Sequence, residues 1–286
     1  MISIIVSTYN RADALNAVLA GLASQQGITS DEWEVIVADD GSGSTTGDVI
    51  NQWRVRFPCV LRHVWHEDVG FRLAAIRNLS AVQARGNWLV FLDGDCIPFP
   101  DFVQQHSLLS EPGWFVAGNR VLLSEPFTKE LLNSNDPSAP IHWSPFSWLQ
   151  AKLRGQSNRA LPWLRLGLGP LRRQRAGRWQ VLKGCNIGVS KQEYMAVNGF
   201  DETYSGWGRE DSDFAIRLIR QGSQLKDGRF AVPVLHLWHR ENDRSQLTDN
   251  DERLTEVLHS SRIRAVVGTD RHLQQHSSHD ATSLAA

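Results

Sequence analysis

Apolar runs of strand length alternate with segments of helical period through the first third of the chain. Residues 2–7, 33–38 and 88–92 are short and almost wholly apolar, and 60–65 is a shorter-patterned version of the same. That composition suits strands buried on both faces. Between them, 12–24 carries Ala14, Leu15, Val18, Leu19 and Leu22 at helical spacing, and 48–57 and 72–84 also read as helices. Strand–helix alternation predicts right-handed crossovers, hence an α/β class with a mostly parallel, Rossmann-like central sheet flanked by helices. Beyond it, 99–109 reads as a helix with Pro100 in its first turn, and 114–123 as a strand. Periodicity fades over 125–178 and returns at 181–189. A short helix follows over 191–197, with Ser190 and Glu193 at capping-box spacing. An amphipathic helix over 210–221 stops at Gly222, 230–235 reads as a strand, 247–267 as a closing helix, and 268–286 as a polar, frayed tail.

Composition narrows the class. The 286 residues suffice for one large domain or two small ones, and the formal charge of -1 gives no global case for a nucleic-acid partner. Three scattered cysteines, Cys59, Cys96 and Cys185, fit neither a disulfide framework nor a metal spacing and suit a reducing compartment. The strand-like opening lacks the features of a signal peptide, and no run reaches the length of a membrane span, so a cytoplasmic location is expected. Charge is uneven, however. Residues 137–192 contain no Asp or Glu, while Lys152, Arg154, Arg159, Arg165, Arg172, Arg173, Arg175, Arg178, Lys183 and Lys191 fall there, with Trp143, Trp148, Trp163 and Trp179 interleaved. Such a stretch reads as a peripheral membrane contact, spanning 143–179, as a solvated basic face, or as an arm that neutralises an anionic substrate.

The chemistry-bearing residues sit at strand ends. The N-terminal strands lead into Ser7-Thr8-Tyr9-Asn10-Arg11, Asp39-Asp40-Gly41-Ser42, His66-Glu67-Asp68 and Asp93-Gly94-Asp95. In a parallel sheet these ends share the edge where open α/β folds bind ligands. Asp93 and Asp95, one glycine apart, could hold a hard divalent cation that bridges to phosphate, or form a polar turn. Gly94 permits the turn and close approach of a ligand. Farther on, Gly206-Trp207-Gly208-Arg209-Glu210-Asp211-Ser212-Asp213 combines a mobile aromatic with acids at a helix start. Acids there suit the helix dipole, yet a carboxylate can also accept the proton of a sugar hydroxyl. His236 and His239, just past a strand, are candidate ligands for a borderline metal such as Mn2+ or are structural.

Together these motifs resemble the inverting glycosyltransferases of family 2, which have the GT-A fold. Ile4-Ile5-Val6-Ser7-Thr8-Tyr9-Asn10-Arg11, Val35 to Ser42, Ala75-Ile76-Arg77-Asn78 and Phe91-Leu92-Asp93-Gly94-Asp95 carry the likeness in the first half. Asn198-Gly199-Phe200-Asp201, Gly206 to Asp213 and His239-Arg240-Glu241-Asn242 are similar to the C-terminal region of β-1,4-galactosyltransferases, polypeptide N-acetylgalactosaminyltransferases and bacterial chondroitin polymerases. The resemblance implies one catalytic unit with a nucleotide-sugar-binding half over 1–110 and an acceptor-binding, catalytic half over 111–267 that holds the insertion at 137–180. It implies that Thr8, Tyr9, Arg11 and Asp39 or Asp40 line the nucleotide site. Arg77 would lie beside the nucleotide and Asp93, with Asp93 and Gly94 at the ribose or donor sugar. Asp95 and His239 would hold Mn2+ (or Mg2+), His236 being an extra ligand. Trp207, Gly208 and Glu210 would meet the acceptor, a glycan or lipid-linked glycan, and Asp211 would be the base. Arg209 stands where galactosyltransferases carry a glycine. The implied reaction is inverting transfer from a UDP-sugar in surface polysaccharide or lipopolysaccharide assembly. The competing readings are an inactive carbohydrate- or lipid-binding relative and a nucleotidyltransferase.

Overall fold

A strand that is apolar at successive positions must lie between two layers. The computed structural model, which describes residues 1–241 and 243–274, places the N-terminal strands so. β1 (Ile2–Thr8), β2 (Trp33–Asp39), β3 (Val60–Trp65) and β4 (Trp88–Asp93) are parallel, in the order β3-β2-β1-β4. Ile4 and Val6 pack on one face with Leu15, Val18 and Leu22 of α1 (Ala12–Ala23) and Ile50 of α2 (Ser44–Arg54). Ile5, Ile36 and Phe91 pack on the other with Ile76 and Ala81 of α3 (Leu73–Gln83). The alternation of facing side chains follows from the period of two along a strand. Ser7 pairs with Asp93 and Thr8 with Asp39, so the polar strand ends meet along one edge.

The second half extends the sheet. β6 (Trp114–Ala117), β8 (Asn186–Ser190) and β9 (Gln224–Asp227) continue it in the order β4-β8-β6-β9, with β8 running antiparallel to both neighbours. The α/β, mostly parallel architecture is therefore the one the sequence pattern predicts. The strand expected over 114–123 is broken at Gly118, where a Cβ would lie 2.1 Å from Asn186 Cγ. After that close crossing the chain leaves the large sheet as β7 (Asn119–Leu122). It joins β5 (Cys96–Pro98) and β10 (Pro233–His236) in a second sheet, ordered β5-β10-β7. The strand expected at 230 begins only at Pro233.

The far layer holds α7 (Lys191–Ala196), α8 (Glu210–Arg220) and α9 (Leu247–His259). Ser190 caps α7, its hydroxyl accepting the Glu193 N–H at 3.1 Å. α9 stops well short of the expected 267, because the chain beyond it hydrogen-bonds to the turn after α7, Ala265 N–H to Val197 O at 2.9 Å. Nor does a frayed tail begin at 268. Residues 269–274 are helical, Thr269 is buried and donates to Asn198 Oδ1 at 3.0 Å, and His272 Nε2 lies 2.6 Å from Glu202 Oε1. Residues 275–286 of that expected tail lie outside the described residues.

The irregular basic region is more ordered than its sequence suggests. α4 (Phe102–Leu109) and α5 (Glu125–Leu132) precede it, and it contains α6 (Pro145–Leu153). Trp148 is fully buried, and Trp143 and Trp163 pack against the same core, so these aromatics face inward and not toward a bilayer. Arg165 grips Asp101 at 2.7 and 2.8 Å, and Arg173 holds Glu111 at 2.9 Å. Arg172 is buried and donates to the carbonyl oxygens of Asp227 at 2.8 Å, Arg229 at 2.7 Å and Leu166 at 2.7 Å. A segment without acids thus borrows acceptors from elsewhere, and three of its cations are structural. No helix among the described residues is long and apolar enough to cross a membrane.

Candidate active site

The turn after β4 is fixed by β1. Gly94 N–H donates to Ser7 O at 2.7 Å, and a Cβ on Gly94 would lie 2.6 Å from that oxygen. Close passage of the neighbouring strand, not a positive φ, requires the glycine. The two flanking acids then meet different partners. Asp93 Oδ1 accepts from Arg77 Nη2 at 2.7 Å. Arg77 is itself fully buried, donates to Ser7 Oγ at 3.2 Å and Gly184 O at 3.1 Å, and lies 5.1 Å from the centre of the Phe200 ring. Burial raises the Asp93 carboxyl; Arg77 opposes the shift and Asp95 adds to it.

Asp95 has no guanidinium or ammonium partner among the described residues. Its Oδ2 faces His239 Nε2 at 3.4 Å and His236 Nε2 at 3.9 Å. The second sheet makes this meeting: His236 pairs across from Cys96, and Leu237 N–H donates to Asp95 O at 2.9 Å. A carboxylate and two imidazoles suit a borderline divalent cation such as Mn2+, so the residues present fit that ion. Cys96 also lies close to Asp95 and His236. Burial, with Cys185 beside it, raises its thiol well above the ordinary range.

A cleft of about 940 Å³ opens over this edge. Thr8, Tyr9, Arg11, Asp40, Arg77, Asp93, Gly94 and Asp95 line it, as do Trp207, Gly208, Glu210, Asp211 and His239. Two expected site residues do not reach its wall. His236 sits behind Asp95. Asp39 is buried in the turn after β2, accepting Ser42 N–H at 2.8 Å and lying 2.9 Å from His63 Nε2. Asp40 is the one of the pair on the cleft, held by His66 at 2.6 Å and Arg72 N–H at 2.9 Å. Thr8 Oγ1 is buried there without a hydrogen-bond partner, Tyr9 O–H donates to Asp68 at 2.8 Å, and Arg11 pairs with Asp13 at 3.0 Å.

The opposite wall begins in a run of left-handed backbone. Gly206 has φ 67°, Gly208 107° and Arg209 79°, and α8 starts directly after. This tight entry turns Glu210 and Asp211 to the cleft, whereas Asp213, a turn farther, is buried in an ion pair with Arg217 at 2.7 Å. Asp211 Oδ2 accepts Gly184 N–H at 2.9 Å and Oδ1 accepts Ser212 N–H at 2.7 Å. Glu210 Oε1 lies 3.7 Å from Arg77 Nη1, so Arg77 stands between the two acid pairs. Burial and then repulsion from Asp211 push the Glu210 carboxyl up to about 7, with Arg77 opposing. Trp207 is partly exposed, with the Arg244 guanidinium 5.2 Å from its ring centre. Lys183, Gly184, Arg120, Trp179, Arg240 and Arg244 also line the cleft and were not singled out as site residues from sequence. Gly184 meets Asp211 because β8 inserts beside β4, a long-range pairing with no local signal.

The family model for glycosyl transferase family 2 matches residues 3–153. The chain belongs to that family. A second model, described as the N-terminal domain of galactosyltransferase, matches residues 174–239 of this family 2 member. Chondroitin synthase of Escherichia coli is 29% identical over 243 residues, covering 79% of this chain and 33% of that protein. Validoxylamine A glucosyltransferase of Streptomyces hygroscopicus subsp. jinggangensis is 29% identical over 248 residues, 80% of this chain and 54% of that protein. The chain thus spans between a third and about half of these relatives. Among solved structures, S. aureus TarS in complex with UDP aligns with a TM-score of 0.58 at 14% identity, over 95% of this chain and 68% of that one. A mannosyltransferase from Pyrobaculum calidifontis in complex with GDP-Man and Mn2+ aligns with a TM-score of 0.59 at 15% identity, over 100% of this chain and 75% of that one. The family 2 member has the GT-A fold of these neighbours.

Proposed function

We propose that this family 2 member is an inverting, metal-dependent glycosyltransferase that moves a hexose or N-acetylhexosamine from a UDP-sugar to a hydroxyl of a glycan or lipid-linked glycan, in surface polysaccharide or lipopolysaccharide assembly. The observation that carries the reading is the convergence of Asp95 and His239 with Asp211 and Glu210 on one cleft. Asp95 and His239, backed by His236, would hold Mn2+ or Mg2+, which when bound supplies Lewis-acid stabilisation of the leaving diphosphate. Thr8, Tyr9, Arg11 and Asp40 would bind the nucleotide, and Asp93, held by Arg77, would meet the ribose or donor sugar. Asp211, fixed by two backbone N–H groups, accepts the acceptor hydroxyl's proton. The new C–O bond forms at the anomeric carbon as the bond to the UDP oxygen breaks on the opposite face, and UDP leaves with that electron pair. Such a displacement inverts the carbon and needs no covalent enzyme intermediate. Trp207 offers its aromatic face to the acceptor ring, and Gly208, where a Cβ would lie 3.2 Å from Leu247 Cδ1, lets that loop pass close to α9.

A membrane-side location is part of the proposal. On α6, Phe146, Leu149 and Leu153 form an exposed apolar stripe, with Lys152 and Arg154 beside it. This stripe suits peripheral contact with an anionic bilayer, and replaces the inward-facing tryptophans as the contact within 143–179. Three unpaired cysteines agree with the cytoplasmic face. Release of UDP from a panel of UDP-sugars, with and without Mn2+, tests the transferase reading. One or more donors should be hydrolysed only with the metal; absence of both UDP binding and UDP release across the panel would sink it.

A further inference from the structure

Beside the donor cleft lies a second cavity of about 270 Å³, and its chemistry is cationic. Arg120, Arg159, Lys183 and Arg229 line it, and Arg120 and Lys183 line the donor cleft as well, so the two spaces share a wall. Among the described residues Asp227 is the one acid on its wall, and it is taken by Arg229, at 2.8 Å to the guanidinium and 2.9 Å to the backbone N–H. None of Arg120, Arg159 and Lys183 has a carboxylate within 4.0 Å among the described residues.

One feature separates this cluster from an ordinary basic surface. Some arginines of the same stretch have partners, Arg165 on Asp101, Arg173 on Glu111 and Arg172 on three carbonyl oxygens, whereas Arg154, Arg175 and Arg178 have none among the described residues, so the lack of a partner alone does not mark a site. What marks this cluster is that the backbone carrying it is anchored around one cavity. Arg120 lies on β7, in register with Val234 of β10. The segment carrying Arg159 is stitched to β7 by an antiparallel bridge between Leu123 and Ser157, with Asn158 N–H donating to Leu122 O at 3.0 Å. Lys183 precedes Gly184, whose N–H holds Asp211. Like charges fixed around a small space repel one another, and a bound anion relieves that repulsion.

We propose that this cavity is an acceptor subsite for an oxyanion, a carboxylate or phosphate carried by the acceptor glycan, positioned so that the reacting hydroxyl lies at Asp211. The inference rests on the transferase reading and adds the acceptor's chemical class to it. The competing anion is the donor's own diphosphate, since two of the cations also face the donor cleft.

The test uses the full chain saturated with UDP and Mn2+, so that the donor site is filled. Binding of methyl β-D-glucuronide, glucose 6-phosphate and the neutral methyl β-D-glucoside is compared by ligand-observed NMR. At least one charged sugar should bind about tenfold more tightly than the glucoside, as charge-assisted hydrogen bonds imply. A preference for the glucuronide assigns a uronate, and one for the sugar phosphate a phosphoryl group. The preference should shrink as salt is raised, and Arg159→Glu should abolish it, with Arg159→Gln as a milder variant should the first not fold. Equal binding of all three sugars identifies a solvated face and overturns the proposal. So does a preference that survives both Arg159 variants, or charged-sugar binding that UDP displaces. A wild-type chain that binds UDP with Mn2+ but shows no preference loses this inference alone, whereas one that binds no UDP loses the transferase reading with it.

Discussion

The two acid pairs of the cleft are built by opposite means. Asp93 and Asp95 stand at the end of a central strand, where register with β1 and a glycine that only just clears Ser7 O set the backbone. Glu210 and Asp211 stand at the start of α8, reached through residues in left-handed conformations. In both pairs one acid is shared with the buried Arg77 and the other turns elsewhere: Asp95 to two imidazoles, Asp211 to two backbone N–H groups. They differ in how closely Arg77 approaches. It donates to Asp93 at 2.7 Å but reaches Glu210 only at 3.7 Å; burial raises both carboxyls, Glu210 to about 7. In the proposed function the sheet edge would gather a cation and a diphosphate, and the helix start would manage a proton.

Separating the pairs by mutation tests this division. Asp211→Asn has the largest expected effect: the side chain keeps its size but cannot accept the proton, so transfer should fall by roughly 100- to 10,000-fold. Retention of near wild-type turnover in a donor–acceptor assay would remove Asp211 from the chemistry. Next comes Arg77→Met, which leaves Asp93 and Glu210 without their shared cation. Breaking a buried pair in this way costs about 3–5 kcal/mol, measurable as a shift in the urea midpoint, and a loss confined to activity would show that Arg77 is not a stability element.

Glu210→Gln should act mainly through pH. The Glu210 carboxyl rises from an ordinary 4.5 to about 7 in the fold, so the folded state holds this proton more tightly than the unfolded chain. Its contribution is therefore complete below the unfolded value and is lost as pH rises toward 7. Urea unfolding at pH 5 and pH 8 should show the wild type losing stability across that window and Glu210→Gln losing less. Parallel curves for the two would contradict the raised carboxyl. The smallest effect is expected at Arg209. A left-handed non-glycine costs roughly 1–3 kcal/mol, set against its ion pair with Asp251 on α9 and the greater chain entropy of glycine. Arg209→Gly should leave stability nearly unchanged while hydrogen exchange over 206–209 speeds up; unchanged exchange would mean the latch to α9 does not restrain the loop.

Legibility from sequence tracks the range of the interactions involved. The β1-α1-β2-α2-β3-α3-β4 order follows from local period, and the polar ends of those strands meet because parallel pairing leaves them one edge. The acids in the first turn of α8 were visible as a motif, but not that Asp213 turns inward to Arg217. What stayed hidden depends on distant pairing: the break at Gly118 against Asn186, the second sheet that carries His236 and His239 to Asp95, and Gly184 beneath Asp211. The tryptophans misled for a related reason. Composition placed Trp143, Trp148 and Trp163 at an interface, yet they pack into the core, while Phe146, Leu149 and Leu153 of the same segment stay exposed, a sorting that depends on which face of α6 meets the sheet layers. Asp39 and Asp40 could not be separated by their order alone; the turn, through Ser42 and His63, withdraws Asp39 and leaves Asp40 on the wall.

The central claim is that the sheet-edge pair gathers metal and nucleotide while the helix pair serves bond formation. Calorimetric titration of UDP into Asp95→Ala and Asp211→Asn, each with and without Mn2+, tests it most directly. Asp95→Ala should lose the increase in UDP affinity that the metal confers, and Asp211→Asn should keep that increase in full. Equal loss in both variants, or full retention in Asp95→Ala, would contradict the account.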